Sequence, residues 1–452
     1  MKKTVSVLLC LFSVLSVLFA IPFTASAVEA SQSVDARSGN TGECKWTLDE
    51  NGVLTISGSG DMANYQLKEP FDPYRETAPW GEDISRLVIE DGVTHIGSAA
   101  FGRCVKLTSV TIPDSVTSIG NYAFYNCDGI TDVTIPDSVT DIDNCAFESC
   151  HNLTSVTVPN SIISIGSYAF DHCSSLKSVY IDDLAAWCRI TFGNTYANPL
   201  SNGGDLYVKG EKISDLVIPD GVVRINDHAF NGGLISSSVI TSVTIPDSVI
   251  SIGDSSFNNC KNLAEINIPD SVTYIAGYAF SNTAWYDNQP DGLVYIGKVA
   301  YSYKGTMPEN TFVEIKYGTV NISEHAFYQC NGLSGVRIPS SVTGIGEDAF
   351  YGCSDLTIYG KAGSYAAEYS RANQLKFFEV DEVIVGDVNL DGQIDVIDVT
   401  AIQKHLAGLI HLSDEQLVLS DTNGDGEINI TDATHLQKYL AGFDGIVLGK
   451  QS

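Results

Sequence analysis

Two twelve-residue stretches near the end of this chain carry hard oxygen donors at a spacing suited to one task. Asp387, Asn389, Asp391 and Asp398 stand at the first, third, fifth and last positions of the first stretch, with Gly392 at the sharp turn. The second begins 34 residues later and sets Asp421, Asn423, Asp425 and Asp432 at the same positions around Gly426. Gln393 and Glu427 occupy the position that offers a main-chain carbonyl. Calcium takes about six to eight oxygens at about 2.3–2.6 Å, and this alternation wraps one ion per loop. Two calcium ions are therefore expected. Ile394 and Ile428 are expected to pair between the loops or to face the core.

Each loop leads into a similar helical stretch. Thr400-Ala401-Ile402-Gln403-Lys404-His405-Leu406-Ala407-Gly408 matches Thr434-His435-Leu436-Gln437-Lys438-Tyr439-Leu440-Ala441-Gly442. No amphipathic helix is expected ahead of either loop, and each loop closes with Asp instead of the bidentate Glu of a standard EF-hand. The interval 409–420 has room for a turn and a short helix. In these two departures residues 386 to about 445 resemble a type I dockerin. That resemblance implies a small all-α, calcium-binding domain whose partner is a cohesin module of a scaffoldin, in a cellulosome-like assembly. By position in each half it implies cohesin contacts from Val396, Ile397, Gln403 and Lys404, and from Ile430, Thr431, Gln437 and Lys438. The near-twofold repetition suggests that either half presents the same face.

Ahead of this unit the chain repeats itself every 23 residues. Ile112-Pro113-Asp114-Ser115-Val116-Thr117-Ser118-Ile119 returns as Ile135-Pro136-Asp137-Ser138-Val139-Thr140-Asp141-Ile142. A later phenylalanine recurs at 101, 124, 147, 170, 230, 257, 280, 327 and 350. Leu107, Val110, Ile112, Val116, Ile119, Ala123 and Phe124 are too many apolar side chains for one unit to bury, so units must stack as a solenoid. Thr108–Ile112 should be a strand in a parallel ladder, and Pro113 should end it. Asn121–Asn126 should form at most a short helical turn. Gln289-Pro290-Asp291-Gly292 and Lys304-Gly305 read as two hairpin signals. The units resemble the leucine-rich repeats of the BspA-like family over residues 40 to 379. The segment from Trp46 to Gly58 is similar to its N-terminal cap, and Gly360 to Tyr365 to its closing cap. The resemblance implies a mainly β solenoid with short helical turns, and a role in adhesion or protein interaction.

The outward strand positions include Ser109, Thr111, Asp132, Thr134, Ser155, Thr157, Ser178, Tyr180, Ser242, Thr244, Glu265, Asn267, Gly335 and Arg337. A flat polysaccharide site needs a row of aromatic rings, and on this reading only Tyr180 supplies one. The loops bearing Trp187 and Trp285 stay open as alternatives. Seven cysteines follow the repeat phenylalanine by three residues, from Cys104 to Cys353, and read as thiols filling a core column. Stacked disulfides are the second reading.

Lys2, Lys3, the apolar run Val5–Phe19 and Ala25-Ser26-Ala27 read as a signal peptide over residues 1–27. The expected divisions are then a cap segment over 28–82, the solenoid over 83–379, a linker at 380–385 and the dockerin-like unit over 386–452. Net charge is −30, which excludes nucleic acid as partner and suits cation binding. No membrane span is expected in the mature protein. A glycosidase would need two facing carboxylates. Asp114, Asp137, Asp247 and Asp270 are one turn residue reiterated, expected to cap local backbone donors. His228 and His325 share a repeat position and read as surface variation. The expectation is a noncatalytic, secreted protein attached to a cell-surface complex, its solenoid free to bind an unknown protein or surface. A free adhesin and an unrecognised carbohydrate-active enzyme are the alternatives.

Overall fold

The structure, a computed structural model, describes residues 37–67, 77–233, 239–380, 384–443 and 445–449. The expected signal peptide lies outside these residues.

Each repeat forms one coil with two short strands. In the coil that begins at Leu107 these are Ser109–Thr111 and Ser118–Ile119. The following coils contribute Asp132–Thr134 with Asp141–Ile142, and Ser155–Thr157 with Ser164–Ile165. All pair in parallel with a constant register: Val156 lies between Val133 and Val179, and Ile142 between Ile119 and Ile165. A constant register puts identical positions in columns, so one apolar pattern repeated becomes one continuous core. Leu107, Val116, Ile119, Ala123 and Phe124 are fully buried, and Val110 and Ile112 pack against them.

The third wall of each coil is not helical. Tyr122 and Asn126 have φ of 57° and 53°. A left-handed residue at every fourth position accompanies successive N–H groups that point in opposite directions. Tyr122, Phe124 and Asn126 donate forward to Asn144, Ala146 and Glu148, whereas Ala123 and Tyr125 donate back to Gly120 and Tyr122. The same φ signature recurs at Cys145 and Ser149 and at Tyr168 and His172. The strain of each left-handed residue is offset by a ladder hydrogen bond to the next coil.

Inside this wall the repeat phenylalanines stack. Phe124–Phe147 and Phe147–Phe170 centroids lie 5.2 and 5.3 Å apart with rings tilted by only 8°. Trp46, Trp80 and Phe101 start the column. The antiparallel strands Ser38–Thr41, Cys44–Leu48 and Val53–Gly58 cover that end. The helix Tyr365–Ala372 and the strand Lys376–Glu379 cover the other.

Several details differ from expectation. One hairpin, Gly292–Ile296 with Val299–Lys304, fills the second irregular stretch. Its turn lies at Gly297, with φ 54°. The two glycine signals sit at its open end, where Gly292 pairs with Lys304. Trp187 is buried and its indole donates to the Ala229 carbonyl at 2.7 Å, so it presents no platform on a loop. Trp285 packs against the core. His228 and His325 are half-buried; His325 stacks on Tyr278 at 5.1 Å, and burial lowers the His228 pKa. The turn is tied by the serine after the reiterated aspartate. Ser115 and Ser138 donate to Val93 and Val116 at 2.8 and 2.6 Å, whereas Asp114 and Asp137 are exposed. A hydroxyl both donates and accepts, as Ser115 does with Gly92; a carboxylate only accepts.

The cysteines form the thiol column. None of the described cysteines is in a disulfide. Cys127, Cys150 and Cys173 point inward, and each donates to the phenylalanine carbonyl of the preceding coil at 3.1, 3.2 and 3.2 Å. Burial pushes Cys150 and Cys188 up to about 12, and Cys127 and Cys173 well above the ordinary 9.0. The folded state thus holds these protons to a higher pH than the unfolded chain does. Their contribution is complete below pH 9.0 and is lost as pH rises toward about 12. The unfolding free energy read from urea titrations should fall over that window, by up to about 1.4 kcal/mol per pH unit for each thiol, and fall less steeply in Cys150→Ala. Iodoacetamide labelling should spare these thiols in the native state and reach them in urea; rapid native labelling would show that the column is open.

Candidate calcium loops and docking surface

The two loops are built alike from the main chain upward. Asp387 accepts from the N–H groups of Asp391 and Gly392 at 3.1 and 2.9 Å. Asp421 accepts from Asp425 and Gly426 at the same distances. Asp391 and Asp425 then accept from Gln393 and Glu427, both at 2.9 Å. Gly392 and Gly426 have φ of 83° and 81°, the left-handed turn that folds each loop back on itself.

The last loop position couples the loop to its helix. Asp398 accepts from Asn389 N–H at 3.0 Å and from Asp395 N–H at 2.8 Å. Asp432 accepts from Thr422 and Asn423 in the loop, and from Asn429 at 2.9 Å. Asp395 and Asn429 are the N-caps of the helices Val396–Leu406 and Ile430–Leu440, and each closes a capping box with the buried aspartate. One carboxylate therefore grips the start of the loop and the first turn of the helix together.

These carboxylates are poorly compensated. Asp398 and Asp432 are fully buried and Asp387 is 4% exposed. Burial, the largest influence, pushes the Asp398 carboxyl above its ordinary value. Among the described residues no ion pair reaches them. Nor do three His, Cys, Asp or Glu side chains converge into a metal cluster of their own. The set is mixed instead: three aspartates and one asparagine in each loop, with a main-chain carbonyl at Gln393 or Glu427. Buried anionic oxygen without a cation, supplemented by neutral oxygen, fits a hard divalent ion such as calcium.

Behind the loops the helices pack on one another through Val399, Ile402, Ala433 and Leu436, with Val388 between them. Ile394 joins this core as a partly buried side chain, and Ile428 is half-buried. A seven-residue helix, Asp414–Ser420, runs directly into the second loop, filling the interval where a short helix was expected. On the opposite side the eight candidate contacts all lie exposed. Val396 is 71%, Ile397 55% and Ile430 60% accessible, values that leave much apolar surface bare. Within each helix the pairs stand seven residues apart, two turns on the same face. Leu409 and Phe443, which the resemblance does not single out, are 74% and 62% accessible and lie three residues past the ends of the two helices. The signal was there, since Ala407-Gly408-Leu409 repeats as Ala441-Gly442-Phe443.

The model of the BspA type leucine-rich repeat region matches in six copies over residues 80–197, 204–303 and 233–357. The chain belongs to that family. The model of the type I dockerin domain matches residues 385–441. Type I dockerins bind calcium. Both families are noncatalytic. Among solved structures, the chain is similar to a leucine-rich cell surface protein from Faecalibacterium prausnitzii at 26% identity, covering 75% of this chain and 97% of that one, with a TM-score of 0.30. It is also similar to a leucine-rich repeat protein from Eubacterium ventriosum at 21% identity, covering 70% and 95%, with a TM-score of 0.37. No curated protein matches. In the BspA-type coils the Ile-Pro-Asp-Ser signature marks the end of the outward strand, and in the dockerin the aspartate ladders mark the loops. Among the described residues no helix is long and apolar enough to cross a membrane.

Proposed function

We propose that this chain is a secreted, noncatalytic component that docks through its dockerin, loaded with two calcium ions, onto a cohesin module of a scaffoldin. One ion is held by Asp387, Asn389, Asp391, the Gln393 carbonyl and Asp398. The other is held by Asp421, Asn423, Asp425, the Glu427 carbonyl and Asp432. Residues 386–452 form the docking unit, 380–385 the linker, 83–379 the BspA-type solenoid and 28–82 its N-terminal cap, after removal of residues 1–27. The cohesin contacts are Val396, Ile397, Gln403 and Lys404 in one half and Ile430, Thr431, Gln437 and Lys438 in the other. The solenoid is the cargo, held outside the cell on a cellulosome-like complex and presented to a protein or surface.

The observation that carries this reading is the bare apolar surface at the start of each helix, Val396 with Ile397 in one half and Ile430 beside Thr431 in the other, fixed by a capping box whose buried aspartate belongs to the calcium loop. Apolar residues with basic side chains at the rim make a compact interface. Titration of the full chain against a panel of cohesins should show tight binding with calcium and none with chelator. Charge placed on one quartet alone should leave binding through the other half. Absence of binding to every cohesin would favour a free adhesin.

A further inference from the structure

Strand pairing lines up outward residues in two separate sheets. One line runs through Thr134, Thr157, Tyr180 and Tyr207 in the earlier coils, and the other through Glu314, Arg337, Tyr359 and Phe378 in the last ones. Tyr180 and Tyr207 lie 4.9 Å apart. Tyr359 and Phe378 lie 5.6 Å apart. The face thus carries far more aromatic surface than Tyr180 alone.

The last group is built with costly local devices. A register shift between Thr311 and Phe312 breaks the ladder beside Leu333–Arg337, and Phe312 ends up facing Gly335. A side chain at Gly335 would meet the Phe312 ring at 2.6 Å and the Tyr359 ring at 3.1 Å. The glycine thus lets Phe312 cross the strand and reach Tyr359 at 5.3 Å. A bulge and a strand glycine both weaken a sheet. Here they yield a three-ring patch whose outer members, Phe312 and Phe378, remain 52% and 59% exposed. Arg337 and Glu314, paired at 3.4 Å, stand in the same rung.

We propose that Phe312, Tyr359 and Phe378 form a stacking platform for a neutral polysaccharide chain. The C–H faces of pyranose rings pack on aromatic rings, and the Arg337–Glu314 pair offers hydroxyl groups a donor and an acceptor together. Charge favours this ligand. The chain as a whole is strongly acidic at −30 and disfavours acidic glycans, while on the platform Arg337 and Glu314 pair with one another and Lys376, in the Phe312 rung, is a single further charge. The rung crosses four strands, about 14 Å, so it takes a run of sugar units. The proposal names the ligand class of the cargo and does not depend on docking to cohesin.

The test is affinity electrophoresis of the full chain in gels containing soluble neutral glycans (a β-glucan, a xylan, a galactomannan), with an acidic pectin alongside. Retardation by a neutral glycan is expected. Phe312→Ala and Phe378→Ala should each weaken it about tenfold, the size of one lost aromatic contact. Gly335→Val should weaken it similarly by displacing Phe312, and Phe378→Trp should preserve it. Both phenylalanines are exposed, so the variants fold; unchanged cohesin binding and circular dichroism check this. Retardation by none of the neutral glycans, equal retardation of the Phe312→Ala/Phe378→Ala double variant, or a preference for pectin overturns the proposal. So does a protein ligand that competes for these rings while no glycan binds. Loss of cohesin binding with glycan binding intact would count against the docking reading alone.

Discussion

Chelation of calcium is expected to unfold the dockerin and abolish its binding, while the solenoid keeps its structure. Asp387, Asp398 and Asp432 are buried carboxylates that, among the described residues, accept from backbone N–H donors and pair with no cation. Stripping the partner from a buried charge costs about 3–5 kcal/mol. A domain of this size holds only about 3–9 kcal/mol in all. Its enclosed apolar core is small: among the described residues Val388, Val399, Ile402, Ala433 and Leu436 pack together, and Leu419 is also buried. Two vacated loops therefore exceed what the core can supply. Far-UV circular dichroism should show loss of helix signal with chelator and its return with calcium, and titration should show cohesin affinity falling by more than about 100-fold. Asp398→Ala and Asp432→Ala should each reproduce much of the loss, because each removes a loop ligand and a helix cap at once. Full helical signal and full affinity in chelator would mean that the loops are closed by their hydrogen bonds alone.

The loops were legible in the sequence because metal chemistry restricts residue type at each position, and two copies repeat the restriction. The coils were legible because a parallel ladder with constant register needs the same apolar residue in the same place every 23 residues. What escaped was whatever depends on geometry between coils. Tyr207 and Phe378 sit on strands without the Ile-Pro-Asp-Ser signature, so their outward direction emerges only from pairing with Tyr180 and Tyr359. Phe312 needs a register shift and a neighbouring glycine to join the platform, and neither has a periodic signal. Gly335, read as an outward position, is buried beneath that ring. The capping expected of the turn aspartate is performed by its neighbour Ser115, because composition marks a turn without saying which side chain faces the adjacent coil.

Phe147→Ala is expected to divide the unfolding of the solenoid. The ring is fully buried between Phe124 and Phe170, nearly parallel to both. Its truncation should cost about 3–5 kcal/mol, the lost transfer energy together with the cavity left behind. In a compact globule that would lower one transition. In a solenoid each coil touches only its neighbours, so the same loss falls on the links to the coils before and after it. Urea denaturation should then start earlier and become two-step, and hydrogen exchange should reach the strands Asp132–Thr134 and Ser155–Thr157 before the rest. Phe378→Ala, which removes an equal ring from an exposed site, should shift stability by less than about 0.5 kcal/mol. A single transition lowered equally everywhere would show that cooperativity spans the whole stack. The strands and left-handed walls would then transmit stability past a missing ring, and the phenylalanine column would be filling rather than coupling.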